Sequence, residues 1–120
     1  MLWIVEFDRE FEREFDQLPP AVQDELLAQA KVVEFFGPSA RRPRVDTLKG
    51  SKYPNMKELR FDADGGTWRV AFAFDPERQA VLLIAGNKSG VSEKRFYKQL
   101  IRIADKRFNA HLQRLSSSFR

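Results

Sequence analysis

Apolar side chains recur along this chain in two rhythms, and the switches between them mark the elements. Leu2 to Phe7 is a short apolar run rich in Trp, Ile, Val and Phe, which predicts a strand. Asp8 follows as an N-cap, and Phe7, Phe11, Phe15 and Leu18 then fall at spacings of four, four and three, one face of a helix. Pro19-Pro20 ends that helix and opens another. From Pro20 to Phe36 the positions Val22, Leu26, Leu27, Ala30, Val33 and Phe36 keep the helical period until Gly37-Pro38 stops it. These two segments predict a helical hairpin.

Residues 37–55 place Gly37, Pro38, Pro43, Gly50 and Pro54 among basic side chains and predict a loop. The rhythm then becomes two. Met56 to Phe61 predicts a short strand, Asp62 to Gly66 a hairpin turn, and Thr67 to Phe74 a strand with Trp68, Val70, Phe72 and Phe74 on one face. Thr67, Arg69, Ala71 and Ala73 take the other face. After the turn Asp75-Pro76-Glu77, Ala80 to Ala85 is a nearly continuous apolar strand. Ser92 caps a last helix of about twenty residues, with Phe96, Leu100, Ile103, Ala104 and Phe108 inward and Lys94, Lys98, Arg102 and Lys106 outward. The predicted order is β-α-α-β-β-β-α. It describes an α+β domain in which a small antiparallel sheet carries an N-terminal helical hairpin and a C-terminal helix on one face. The 120 residues fit a single domain, 1–120, with 116–120 expected to be a frayed tail.

Composition narrows the chemistry. Absence of cysteine removes disulfides, thiolate metal sites and cysteine nucleophiles, and a single histidine argues against a histidine-rich metal centre or a His-based triad. No cofactor and no metal are expected. The apolar start Met1 to Val5 runs directly into acidic residues, unlike a signal peptide, and no stretch approaches a membrane span, so a cytoplasmic protein without a membrane partner is expected. Charge is sorted by position. Residues 1–40 carry three basic against nine acidic side chains, whereas residues 41–60 carry seven against two and residues 86–120 nine against two. If the two basic segments adjoin, they form one face for a polyanion such as nucleic acid, with Arg41, Arg42, Arg44, Lys49, Lys52, Lys57 and Lys94 as candidate contacts.

Strand alternation locates the candidate chemistry. On the strand from Met56, either Lys57 and Leu59 or Glu58 and Arg60 face away from the core, and the apolar Leu59 and Phe61 favour the second pair. Arg69 falls on the same open face and Lys88 follows the next strand, so Arg60, Arg69 and Lys88 can converge on an anion such as a phosphate. Pairing of Arg60 with Glu58, or with an acid of the first helix, is the competing arrangement. Gly86-Asn87-Lys88-Ser89-Gly90 lacks the glycine spacing of a phosphate loop. His111 is expected at the surface or as a cap. Tyr97, beside the inward Phe96, either satisfies its hydroxyl in the core or turns it toward the cations.

Taken in order, Leu48-Lys49-Gly50, Glu58-Leu59-Arg60, Trp68-Arg69-Val70, the apolar strand ending near Lys88 and the final helix with Ala104 and Arg107 resemble the RelE/ParE superfamily of bacterial type II toxins, in its HigB-like, phage-related branch. The resemblance covers nearly the whole chain, to about Leu115. It implies a RelE-like fold and an antitoxin partner, commonly one with a helix-turn-helix domain. It also implies cleavage of messenger RNA, usually on the ribosome, as in the RelE and HigB branches; ParE members instead poison DNA gyrase, and an inactive RNA-binding relic is a third reading. By position, Arg69 matches the arginine that contacts the scissile phosphate, Arg60 the arginine of the preceding strand, Lys88 a basic residue after the last strand and Tyr97 the late tyrosine. The sequence departs from the family at Lys88-Ser89, where a tandem lysine is frequent, and at Met56 and Glu58, which replace lysines and leave only Lys57 nearby. An endoribonuclease of this kind draws its nucleophile from RNA itself, the 2′-hydroxyl, and must align it, stabilise charge at phosphorus and move protons. Arg69, Arg60 and Lys88 are expected to stabilise charge and Glu58 or Tyr97 to move the proton.

Overall fold

The computed structural model describes residues 2–117. In chain order the elements are β1 (Ile4–Phe7), α1 (Arg9–Phe15), α2 (Pro20–Phe36), a 3-10 turn (Gly37–Ser39), β2 (Val45–Thr47), β3 (Met56–Ala63), β4 (Gly66–Phe74), β5 (Gln79–Asn87) and α3 (Glu93–Ser117). Local signals set most of these bounds. Asp8 caps α1 by accepting from the N–H groups of Glu10 and Phe11 at 3.0 and 3.2 Å, and Ser92 Oγ accepts from Arg95 N at the start of α3. Pro20 supplies a helix-compatible first residue to α2, while Gly37, at φ +54°, ends it in a conformation that side chains disfavour.

The five strands form one sheet in the order β1-β5-β4-β3-β2. Three neighbouring pairs are antiparallel, as expected, but β1 runs parallel to β5, so the sheet is mixed. Side-chain rhythm marks a strand and its faces; it carries no mark of strand direction. The short β2 lies inside the segment expected to be a loop, held by pairing with β3 and by Val45, which is buried.

A second correction matters more for function. Helices cover both faces of the sheet, not one. Leu59, Phe61, Val70, Phe72 and Leu82 pack against Phe11, Val22, Leu26 and Val33 of α1 and α2. On the opposite face, Met56, Ala71, Ala73, Val81 and Leu83 receive Phe96, Leu100, Ala104 and Phe108 of α3. The alanines of β4 look like a tolerant outer face in sequence, yet their small size is what admits a helix with bulky side chains. Leu27 and Phe36, counted in the inward stripe of α2, stand 46% and 52% exposed. α3 extends over 25 residues, so Ser116 and Ser117 are helical rather than frayed, and the remainder of the expected tail lies outside the described residues.

Arg107 locks α3 across the layers. Its guanidinium donates to the Leu83 carbonyl and to Glu14 Oε1, both at 2.8 Å, and to Glu10 at 3.2 Å. A basic helix is thereby tied to the acidic first helix, which accounts for part of the charge asymmetry as internal pairing. Residues 51–53 dock on the same helix: Ser51 Oγ and Lys52 N donate to Asp105, and Tyr53 OH donates to Asn109 Oδ1 at 3.3 Å. The two basic segments of the chain consequently meet.

Candidate functional site

The pairing of β3 with β4 sets Glu58 opposite Ala71 and Arg60 opposite Arg69, on the face that α3 covers. Gly86 of β5 lies beside Arg69, and a Cβ there would come within 2.8 Å of the Phe96 ring. This glycine makes room for Phe96 and thus sets the depth at which the adjacent Tyr97 enters. The Tyr97 hydroxyl accepts from Arg69 Nε at 3.2 Å and donates to Glu58 Oε1 at 2.8 Å. Arg69 Nε lies 3.7 Å from the same carboxylate oxygen, and its Nη1 donates to the Trp68 carbonyl at 2.9 Å. Both expected roles of Tyr97 therefore hold at once: its hydroxyl is satisfied internally and it faces the cations.

Glu58 and Arg69 are each only 6% exposed. Burial pushes the Glu58 carboxyl above its ordinary range, against the opposing pull of Tyr97, Arg69 and Arg60. Burial, and then the bond to Glu58, likewise raise the Tyr97 phenol, keeping it a donor at neutral pH. The expectation that Arg69 stands on an open sheet face is corrected here, because α3 closes that face and leaves 7% of the arginine side chain exposed. Arg60, with a third of its side chain exposed, is the more accessible arginine, 3.8 Å from Asp46 rather than paired with Glu58.

Glu58, Arg60 and Tyr97 line a cleft of about 530 Å³ whose other walls include Arg42, Asp46, Lys49, Glu93 and Lys94, with Arg69 buried behind it. Lys88 stands beside it, its ammonium 2.8 Å from Glu93 Oε1 and 5.9 Å from the Tyr97 ring centre. The Lys88 hydrogen bond holds the Glu93 carboxyl below its usual value, and the Arg42 bond does the same for Asp46. Of the expected RNA contacts, Arg42, Lys49 and Lys94 line this cleft. Arg41 and Lys57 line a neighbouring depression that shares Arg42, Asp46 and Thr47 with the cleft, and Lys57 Nζ donates to Thr47 Oγ1 at 3.3 Å. Arg44 borders a third hollow with Phe36, and Lys52 lies over the Tyr53 ring at 5.3 Å.

Sequence reasoning missed the two acids of the rim. Asp46 sits on the unrecognised β2, while Glu93 had a legible signal, directly after the Ser92 cap in the first turn of α3. His111 is also corrected: it is buried, 8% exposed, with Nε2 at 2.8 Å from Asp75 Oδ2. No helix among the described residues is long and apolar enough to cross a membrane.

A mixed five-stranded sheet between an N-terminal helical hairpin and a long C-terminal helix is the RelE-like fold. The chain superposes on a free double arginine-to-alanine variant of the E. coli toxin RelE with a TM-score of 0.57, 16% identity and coverage of 84% of this chain and 95% of that one. For a chain of the archaeal RelE-RelB complex from Pyrococcus horikoshii the TM-score is 0.53, with 19% identity and coverage of 76% of this chain and 100% of that one. The sequence profile of the phage-derived Gp49-like family matches residues 13–109. Among Mycobacterium tuberculosis proteins, the chain is 43% identical over 96 residues to the one named toxin HigB3, covering 80% of this chain and 82% of that one. It is 46% identical over 88 residues to the one named toxin HigB2, spanning 72% of this chain but only 43% of that longer protein. The chain belongs to the phage-derived Gp49-like family, whose members include HigB-type toxins, and it has a RelE-like fold.

Proposed function

We propose that this toxin is a messenger-RNA endonuclease acting at the ribosome in the cytoplasm, that its catalysis relies on side chains and the RNA 2′-hydroxyl, and that an antitoxin restrains it. The observation that carries this reading is the Arg69–Tyr97–Glu58 chain, whose Tyr97 and Glu58 line a cleft walled by Arg42, Lys49, Arg60 and Lys94 while Arg69 lies buried behind them. The basic walls hold the RNA backbone, with Arg60 on the scissile phosphate. The 2′-hydroxyl gives its proton to the Tyr97 oxygen as the Tyr97 proton passes to Glu58, and the freed 2′-oxygen attacks phosphorus. The bond from phosphorus to the 5′-oxygen breaks, and that oxygen takes up a proton from the Lys88 ammonium.

A carboxyl raised by burial is a better terminal base near neutral pH than an ordinary glutamate. Arg69, largely buried behind the phenol, acts as a positioning residue that orients the Tyr97 hydroxyl and offsets the Glu58 charge. The names of the HigB and RelE relatives, and the RelE-RelB complex, support the toxin and antitoxin parts of this reading.

The test is primer extension on a defined messenger RNA in a reconstituted translation reaction, with wild type, Arg60→Ala and a control without ribosomes. Ribosome-dependent cuts that fall by about 100-fold or more in Arg60→Ala are expected. RNA left intact by folded wild type overturns the nuclease and moves the target to a protein, as in the ParE branch.

A further inference from the structure

Fourteen residues beyond Tyr97 on α3, about 21 Å along the helix axis, three ionisable side chains converge from distant parts of the chain. Asp75, at the end of β4, has a fully buried side chain. Its Oδ1 accepts from the N–H groups of Glu77 and Gln79 at 2.9 and 3.0 Å, which fixes the carboxylate, and its Oδ2 faces His111 Nε2 at 2.8 Å. The imidazole is held in turn by stacking on Phe108, with ring centres 6.2 Å apart and planes 15° from parallel. Glu6, on β1 opposite Val81, brings a carboxylate to the same place, so that one donor atom of each residue lies within 4.8 Å of the other two.

The charge inventory is unbalanced. The one imidazole is engaged by Asp75, and the Glu6 side chain makes no hydrogen bond or ion pair among the described residues. Half-buried and without a partner, Glu6 is poorly placed unless something positive joins the group.

We propose that Glu6, Asp75 and His111 form a binding site for a divalent transition metal, with zinc the ion that best suits them. One imidazole nitrogen and two carboxylate oxygens are a set that zinc accepts, with bonds of about 2.0–2.2 Å, whereas magnesium and calcium take oxygen alone. A tetrahedral centre with such bonds needs donors roughly 3.4 Å apart. The flexible Glu6 side chain closes in, and the Asp75–His111 contact opens slightly as the metal takes the place of the shared proton. Glu6 is partly open to solvent, which leaves room for water as a fourth ligand. The ion would join β1, the β4–β5 turn and the C-terminal half of α3, and so acts on the fold rather than in the cleft.

Zinc chloride titrated into the chelator-treated full chain, followed by calorimetry and by thermal unfolding, tests the site. One ion per chain and a raised melting temperature are expected. Glu6→Gln should lower zinc affinity by at least about tenfold while the metal-free melting temperature stays unchanged. Cobalt in place of zinc should give the visible absorption of a tetrahedral centre, weakened in the same variant. Absence of saturable binding, or binding that Glu6→Gln leaves unchanged, overturns the proposal.

Discussion

Replacing Tyr97 by phenylalanine keeps the ring and removes the atom on which the site turns. Two hydrogen bonds vanish, the one from Arg69 Nε at 3.2 Å and the one to Glu58 at 2.8 Å, both with charged partners. Each such bond contributes about 1.5–3 kcal/mol. Their loss is softened because Arg69 retains the Trp68 carbonyl and stands 3.7 Å from Glu58, near enough to close the gap. A net cost of about 2–3 kcal/mol follows. For a chain of 120 residues, an unfolding entropy of about 2.1 cal/mol/K per residue converts this to a melting temperature lower by about 8–12 °C. At a temperature where the variant is still folded, loss of the proton path should slow RNA cleavage by about 10²–10⁴-fold. Urea unfolding gives the first quantity and single-turnover cleavage the second, and a double-mutant cycle with Glu58→Gln isolates their coupling. A variant within about 0.5 kcal/mol of wild type would show that the three groups are not coupled. A folded variant cleaving at the wild-type rate would remove Tyr97 from the proton path.

Two further outcomes follow from the described contacts. Because burial raises the Glu58 carboxyl, the folded state keeps that proton to higher pH than the unfolded chain, so this residue costs stability as pH rises from 4.5 through its raised value. Glu58→Gln removes that loss, and its stability relative to wild type should climb with pH across the window; urea midpoints showing a constant difference would contradict the burial argument. Arg107→Ala strips α3 of its bonds to Leu83, Glu14 and Glu10. With those carboxylates still hydrated, the cost should be about 2–3 kcal/mol, and Arg107→Lys should recover less than half of it, since an ammonium cannot fork. A loss under about 0.5 kcal/mol by urea unfolding would show that the clamp is not what holds the helix.

What could be read from the sequence was local. Asp8 as a cap and Pro20 to Phe36 as a helix depend on neighbours a few residues away, and both stand in the structure. The alternation that set Glu58, Arg60 and Arg69 on one face was equally legible, since it follows from strand geometry and a tight turn. What covers that face was not. Ala71 and Ala73 suit solvent or a close-packed helix equally well in sequence, and only the bulk of Phe96 and Phe108 arriving from α3 decides between them. His111 illustrates the same limit. Its partner Asp75 is 36 residues away and belongs to a turn, so helical position alone suggested the surface. Tyr97 was legible as adjacent to the cations, whereas its bond to Glu58 joins residues 39 positions apart and depends on the depth that Gly86 allows.

The assembly of the cleft from two separate segments of the chain, 42–60 and 93–97, has a temporal meaning. Glu58, Arg60 and Arg69 are made early, while Glu93, Lys94 and Tyr97 stand on a helix that begins only at Glu93. During translation, a nascent chain that has emerged no further than β5 holds neither the phenol nor the second wall. It also lacks Arg107, the clamp that fastens the late helix to the early one. On the proposed function, a growing chain lacks the complete cleft until α3 is made and docks, and the hazard arrives with that helix. On the same reading, the interval in which an antitoxin must act opens there.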